Sequence, residues 1–155
     1  MVKNVLNTLR KKQKNNKGFS LVELIVVIAI MAVLVGVLAP QLIKYVEKSR
    51  EATDIQNCDS IVSALKSYYS DKEDKSTITV TLSSAAMTGD TEALNALDDA
   101  GMKSTKLKGK YWNSIAMEFD PATGLVEYTI TNATDKTPYY TTSATDKTQL
   151  IPASK

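Results

Sequence analysis

The feature that most constrains this chain is an uninterrupted apolar run near its N-terminus. Every residue from Leu24 to Ala39 is apolar or glycine, and no charged side chain occurs between Glu23 and Lys44. Twenty helical residues rise about 30 Å, which is the thickness of the hydrocarbon core of a bilayer. The run therefore predicts a helix that inserts into a membrane.

Two other interpretations of the apolar run fit less well. A buried core helix rarely stays apolar on all its faces over such a length. A secretory signal peptide has an apolar stretch of about 7–15 residues and then a small-residue cleavage site. This run is longer, and Pro40 directly follows Ala39. The basic segment before the run orients a membrane helix with its N-terminus in the cytoplasm and the C-terminal body outside.

Charge is distributed unevenly along the chain. The whole chain has 19 basic and 17 acidic residues, a net charge of +2. Six of the cations and none of the acids lie in residues 1–17, which leaves 13 basic and 17 acidic residues, a net charge of −4, for the remainder. The basic character therefore belongs to the leader, and it does not predict a nucleic-acid-binding body.

The residue types that usually carry catalysis are scarce. The chain has no histidine, which excludes Ser-His-Asp and Cys-His catalysis and nearly all zinc sites. Cys58 is the single cysteine, so no intrachain disulfide can form, and its place among apolar positions favours a small hydrophobic side chain. The sequence predicts no enzyme, no cofactor and no metal site.

Pro40 and Gly36 predict a weak point in the helix, because proline removes a backbone donor and clashes with the carbonyl four residues earlier. Beyond Pro40, small and apolar residues recur every three or four positions, which predicts that the helix resumes and continues to about residue 70. The predicted inner face contains Tyr45, Ser49, Ala52, Ile55, Cys58, Val62, Leu65 and Tyr69. The predicted solvent face contains Lys44, Lys48, Arg50, Glu51, Asp54, Gln56, Asn57 and Lys66.

Glu23 admits two roles that are compatible with each other. Ser20 and Glu23 have the spacing of a capping box, in which serine and glutamate satisfy backbone donors at a helix start. A carboxylate next to a membrane span also usually has a cationic partner. No cation lies between Glu23 and Lys44, so we expect the partner to come from outside this segment.

The residues Lys17-Gly18-Phe19-Ser20-Leu21-Val22-Glu23-Leu24-Ile25 and the apolar run resemble the N-terminal signature of type IV pilins and the related type II secretion pseudopilins. The resemblance covers about residues 10–45. It implies that a prepilin peptidase cleaves between Gly18 and Phe19 and that the new amino terminus of Phe19 is methylated. It also implies that Glu23 attracts the terminal amine of a neighbouring subunit, and that the helix loosens near Pro40 in filaments.

The same resemblance implies a division of the chain and a set of partners. Residues 1–18 are expected to be a removable leader, residues 19–44 a transmembrane and polymerisation helix, and residues 45–155 an extracellular domain. The expected partners are further copies of the chain, the prepilin peptidase, the pilus assembly machinery of the cytoplasmic membrane, and the membrane itself before assembly. The expected function is a major-type pilin that ends on the cell surface; a pseudopilin of a secretion or DNA-uptake system and a monomeric membrane-anchored binding domain are the alternatives.

The fold class expected for the body is α+β, a small antiparallel sheet packed on the second half of the long helix. A strand or extended loop is predicted at 77–83 and a short helix at 90–101. Alternating apolar residues on both sides of the turn at 120–124 predict a hairpin, and residues 139–143 predict an edge strand, which places the sheet at about 113–143.

Four lysines precede an aromatic pair and raise the question of a nucleic-acid contact; they are Lys103, Lys106, Lys108 and Lys110. Lysines beside aromatic residues can bind single-stranded nucleic acid through phosphate contacts and base stacking. A loop of exposed lysines is more often a solvated surface, and contact with an acidic neighbouring subunit is a third interpretation. The sequence favours the solvated surface and predicts no nucleic-acid partner.

Overall fold

The computed structural model of the chain describes residues 18–73, 76–143 and 146–153. The expected leader lies outside these residues except for Gly18. The described elements, in chain order, are α1 Leu21–Tyr69, β1 Ile78–Ser83, β2 Met87–Gly89, α2 Thr91–Asp99, β3 Trp112–Asp120, β4 Leu125–Asn132, β5 Tyr140–Thr142 and β6 Leu150–Pro152. The chain divides into two compact units, residues 1–42 and 43–155.

Helix α1 begins and ends within one residue of the predicted positions. It continues through Pro40, as the periodicity beyond that residue predicted. Proline has no N–H, so the carbonyl of Gly36 lacks its usual helical donor. A local weak point at Gly36 and Pro40 stays a prediction.

The described part of the first unit, residues 18–42, is apolar and exposed. Its large hydrophobic side chains range from 44% exposed at Val27 to 88% exposed at Phe19. Helix α1 is long and apolar enough to cross a membrane. A continuous apolar surface of this kind is not stable in water and requires lipid or protein to cover it.

The second unit contains a four-stranded antiparallel sheet in the order β2-β1-β3-β4. Strands β3 and β4 form the predicted hairpin, in which Phe119 pairs with Val126 and Asp120 with Leu125. The turn includes Gly124 at φ 70°, a conformation that glycine adopts without steric cost. One face of the sheet supplies core residues that cluster with side chains of α1 such as Leu65. The α+β fold is confirmed.

The sheet differs from the prediction at both of its ends. It includes residues 78–89 as strands β1 and β2, so it begins well before residue 113. Among the described residues, the predicted edge strand at 139–143 lies outside this sheet, in a separate two-stranded sheet in which β5 pairs with β6. The backbone N–H groups of Tyr139 and Tyr140 donate instead to Glu51 Oε2, at 2.6 and 3.2 Å. Contact with α1 thus fixes the start of β5.

The predicted inner face of α1 is correct from Cys58 onward and at Ile55, which packs against the core, and it is wrong at the three positions before Ile55. Tyr45, Ser49 and Ala52 are exposed, and Ile55 is only partly buried. The buried positions in this part of the helix are Glu47, Glu51 and Asp54. Glu51 and Asp54 were assigned to the solvent face because carboxylates are rarely buried without partners. Partners for all three come from residues distant in sequence.

Helix α2 occupies the predicted position. Asp90 is its N-cap residue but makes no side-chain cap bond. The Asp90 carboxylate accepts a hydrogen bond from the backbone N–H of Thr79 in β1, at 2.7 Å. Asp90 therefore connects α2 to the sheet.

A fragment that begins at Tyr45 should be soluble and folded, because it lacks the exposed apolar run and keeps every buried residue of the second unit from Glu47 onward. The measurements are size-exclusion chromatography and far-UV circular dichroism during heating. A monomer with one cooperative transition is the expected result. A fragment without a cooperative transition would show that the body depends on residues before Tyr45.

Candidate processing and assembly site

Residues 18–20 precede the helix, and Ser20 and Glu23 cap its start. The Ser20 N–H donates to Glu23 Oε2 at 2.8 Å, and the Val22 N–H donates to Ser20 Oγ at 3.3 Å. The two side chains thus satisfy backbone donors that the first helical turn leaves without intrahelical partners. The Glu23 half of the predicted capping box is confirmed, whereas Ser20 Oγ accepts from Val22 in place of Glu23.

The bond between Gly18 and Phe19 lies just outside this cap. Both residues are exposed, and neither is helical. A methyl group added at Gly18 would meet no atom within 4 Å, so steric crowding within the described chain is not the reason for a glycine there. An exposed, non-helical peptide bond is open to a peptidase. Cleavage at this bond and methylation of Phe19 stay predictions.

Glu23 is exposed, and one of its carboxylate oxygens accepts the hydrogen bond of the cap. Among residues 18–73, 76–143 and 146–153, no cationic side chain forms an ion pair with it. The carboxylate can therefore accept another bond while the cap stays in place. An ammonium group from a second molecule is a chemically suitable donor, and that role of Glu23 stays a prediction.

The second unit contains a polar site that the sequence did not predict. Asp54 accepts hydrogen bonds from the backbone N–H groups of Lys108 and Gly109, at 2.8 and 2.7 Å, and from Trp112 Nε1, at 3.1 Å. Glu47 accepts one from the backbone N–H of Lys110. Together with the bonds from Glu51 to β5, these carboxylates hold two segments of the chain against α1.

Burial raises the pKa of the Asp54 carboxyl, because desolvation disfavours its charged form. The two backbone donors and the Trp112 indole oppose this rise by stabilising the carboxylate. Cys58, one turn further along α1, is fully buried, and burial raises the pKa of its thiol to about 12. The expectation that Cys58 acts as a small hydrophobic residue fits this environment.

Gly109 allows the loop to approach the helix closely. A β-carbon at this position would lie 2.6 Å from Trp112 Nε1 and 3.0 Å from Asp54 Oδ2. The sequence contained a partial signal for this site: Glu47, Glu51 and Asp54 occur at i, i+4 and i+7, on one helix face. What it lacked was any indication that most of the donors are backbone N–H groups 54 to 89 residues away in the sequence. Among the described residues, no group of three or more acidic or cysteine side chains is arranged to hold a metal ion.

The lysine loop, residues 103–110, has its backbone against α1 and its lysines in solvent. Lys103, Lys106, Lys108 and Lys110 are all exposed. Lys103 forms an ion pair with Asp98 at 2.7 Å. The exposed positions agree with the solvated surface favoured by the sequence.

Comparisons with known proteins agree with the N-terminal geometry. Residues 13–39 match the family model described as the prokaryotic N-terminal methylation motif. The type IV major pilin protein PilA of Myxococcus xanthus strain DK1622 is 34% identical over 58 residues, which is 37% of this chain and 26% of that protein. The chain thus matches about a quarter of that relative's length. No solved structure gives a significant match.

Proposed function

We propose that this chain, a member of the type IV pilin family by its N-terminal segment, is a major-type pilin that polymerises into an extracellular filament. The match to the methylation motif, together with the apolar helix, fits a membrane-anchored precursor that is later assembled at the cell surface. The proposed role is structural and not catalytic. The observation that carries it is the exposed apolar surface of residues 24–39, preceded by the capped Glu23.

Two environments can cover that apolar surface in succession. Before assembly, lipid surrounds a span of the required length. After assembly, the helices of neighbouring copies bury the same side chains against one another. The proposed partners are therefore the membrane, the prepilin peptidase, the assembly machinery and other copies of the chain.

Gly18→Val should abolish cleavage and leave the full-length precursor in the membrane, because a branched side chain would occupy the position that the peptidase is proposed to recognise. Mass spectrometry of the N-terminus gives the readout, with Lys14→Val as the control change inside the leader. The wild type and the control should both begin with N-methylated Phe19. If the Gly18→Val variant gave a mature chain that begins at Phe19 in the normal amount, the proposed processing site would be wrong.

Electron microscopy of cells that express the wild type separates the proposed function from its alternative. Long surface filaments composed of this chain are the expected result. A chain that is cleaved at Gly18 and gives only short structures within the cell envelope would be a pseudopilin of a secretion or DNA-uptake system.

A further inference from the structure

The second unit has two charged surfaces at opposite ends. At one end, the lysine loop lies beside the Glu47–Asp54 part of α1, to which Lys108, Gly109 and Lys110 donate their backbone N–H groups. At the other end, the tip of the β3–β4 hairpin lies near the C-terminal end of α1, because the ring of Phe119 contacts that of Tyr69 with centroids 6.3 Å apart. Eight residue steps along β3 separate the ends by about 26 Å.

The outer face of the sheet is acidic near the hairpin tip. Glu118 pairs directly with Glu127 across β3 and β4, and both side chains are exposed. Like charges directly opposite each other destabilise a sheet. Asp120 lies on the same face of β3, next to a cleft of about 310 Å³ lined by Thr77, Glu118, Asp120, Thr123, Leu125 and Glu127. We call this surface the acidic sheet face.

The lysine loop holds its charges in a defined place. Three hydrogen bonds from the loop backbone to buried carboxylates fix residues 108–110, while the lysine side chains remain exposed. Lys106, Lys108 and Lys110 form no ion pair within the described part of the chain. These lysines are therefore positioned cations that a second molecule can contact.

We propose that the lysine loop of one copy docks on the acidic sheet face of the next copy. The molecule that fills the acidic sheet face is a second copy of the chain, because the chain itself carries the complementary positive surface. The distance between the two surfaces prevents them from pairing within one copy. A contact between two different surfaces of identical subunits does not close on itself unless the rotation between them makes a ring. It therefore propagates head to tail along a filament. This inference rests on the filament proposed above.

The test begins with purified wild-type filaments and a zero-length carbodiimide, which joins a lysine amine directly to a carboxylate. Mass spectrometry should find links from Lys106, Lys108 or Lys110 to Glu118, Asp120 or Glu127, and gels should show a ladder of covalent oligomers. The same chain as a monomer in detergent should give neither. Lys106→Gln/Lys110→Gln should lose most of the ladder, whereas the control Lys66→Gln/Lys147→Gln should keep it. Filaments without links between the two surfaces would overturn the proposal.

Charge reversal gives a second readout. The loop variant Lys106→Glu/Lys108→Glu/Lys110→Glu should reduce filament yield at least about fivefold, the factor that corresponds to about 1 kcal/mol. Lys108 and Lys110 keep their anchoring backbone N–H groups, so the fold should be retained. The face variant Glu118→Lys/Asp120→Lys/Glu127→Lys should assemble equally poorly. A chain with all six changes has an acidic loop and a basic sheet face, so the two surfaces are complementary again. This variant should recover most of the filament yield.

The outcomes separate this inference from the proposed function. A wild type that is not cleaved or forms no filaments contradicts the proposed function. If the wild type forms filaments and both reversal variants assemble as well as the wild type, the docking contact is wrong. The proposed function is not contradicted by that result. If the loop variant assembles normally but its filaments lose binding to double-stranded DNA, the lysine loop is a DNA contact and the docking proposal is wrong.

Discussion

Filaments should be lost when Glu23 is replaced by glutamine, although the precursor inserts and is cleaved as in the wild type. Glutamine can still accept the bond from the Ser20 N–H, so the capping box and the helix start should remain. What disappears is the negative charge. An ammonium group about 4 Å from Glu23 would be attracted by about 1 kcal/mol in water and about 4 kcal/mol at an effective dielectric constant of 20, before desolvation is subtracted.

The size of this attraction matters less for stability than for register. The apolar surface of residues 24–39 offers many similar packing arrangements, because its side chains are nearly interchangeable in contact. A single ion pair favours one stagger, since a slipped arrangement would leave both charges unpaired in an apolar bundle. The expected result is therefore an absence of ordered filaments and not a modest reduction in their stability.

Three measurements check this prediction: N-terminal mass spectrometry for cleavage, membrane fractionation for insertion, and electron microscopy for filaments. Glu23→Leu, which removes the bond from the Ser20 N–H as well as the charge, should also fail to assemble. Glu73→Gln is the matched control, because it removes an exposed carboxylate in the second unit. Wild-type filament yield from Glu23→Gln would leave the capping box as the function of Glu23.

Asp54→Ala should lower the free energy of unfolding of the body by about 3 kcal/mol or more, since each buried donor left without an acceptor costs about 1–3 kcal/mol. The alanine would strand the backbone N–H groups of Lys108 and Gly109 and the indole N–H of Trp112. Burial raises the pKa of the Asp54 carboxyl, which shows that burying its charge is itself unfavourable. The expected loss of stability is large nevertheless, because the donors stay buried after the carboxylate is gone. Asp54→Asn keeps one acceptor oxygen and should lose less.

Urea unfolding of the full-length chain in mild detergent measures the effect. Trp112 is the single tryptophan of the chain and lies next to Asp54, so its fluorescence reports on the site directly. Asp98→Ala is the control, because its ion pair with Lys103 is more than half exposed and should contribute at most about 1 kcal/mol. An Asp54→Ala variant as stable as this control would show that the loop is held by other contacts.

The local features of the fold could be predicted where the signal lies within a few neighbouring residues. The helix cap depends on residues two and three positions apart, and the structure contains the predicted bond from the Ser20 N–H to Glu23. The hairpin depends on alternation around the turn at 120–124, and its strands extend only a few residues beyond the predicted ones. The continuation of α1 through Pro40 followed from the periodicity beyond it.

The errors arose where partners are distant in sequence. Glu51 and Asp54 were assigned to solvent because a carboxylate without a visible partner costs too much free energy to bury. Strand β5 was assigned to the main sheet because alternation predicts a strand but does not determine which strand it pairs with. The N–H groups of Tyr139 and Tyr140 bond to Glu51 across 88 and 89 residues, so the two errors have one origin.

The sequence by itself determined the long apolar helix and the cap formed by Ser20 and Glu23, because each depends on composition or on spacings of a few residues. Only the tertiary structure decided which face of α1 is buried between Glu47 and Asp54, and where the lysine loop lies. The physical reason is that a buried carboxylate is stable only with donors around it. Here most of those donors are backbone N–H groups, which every residue except proline carries and which no pattern of side chains reveals.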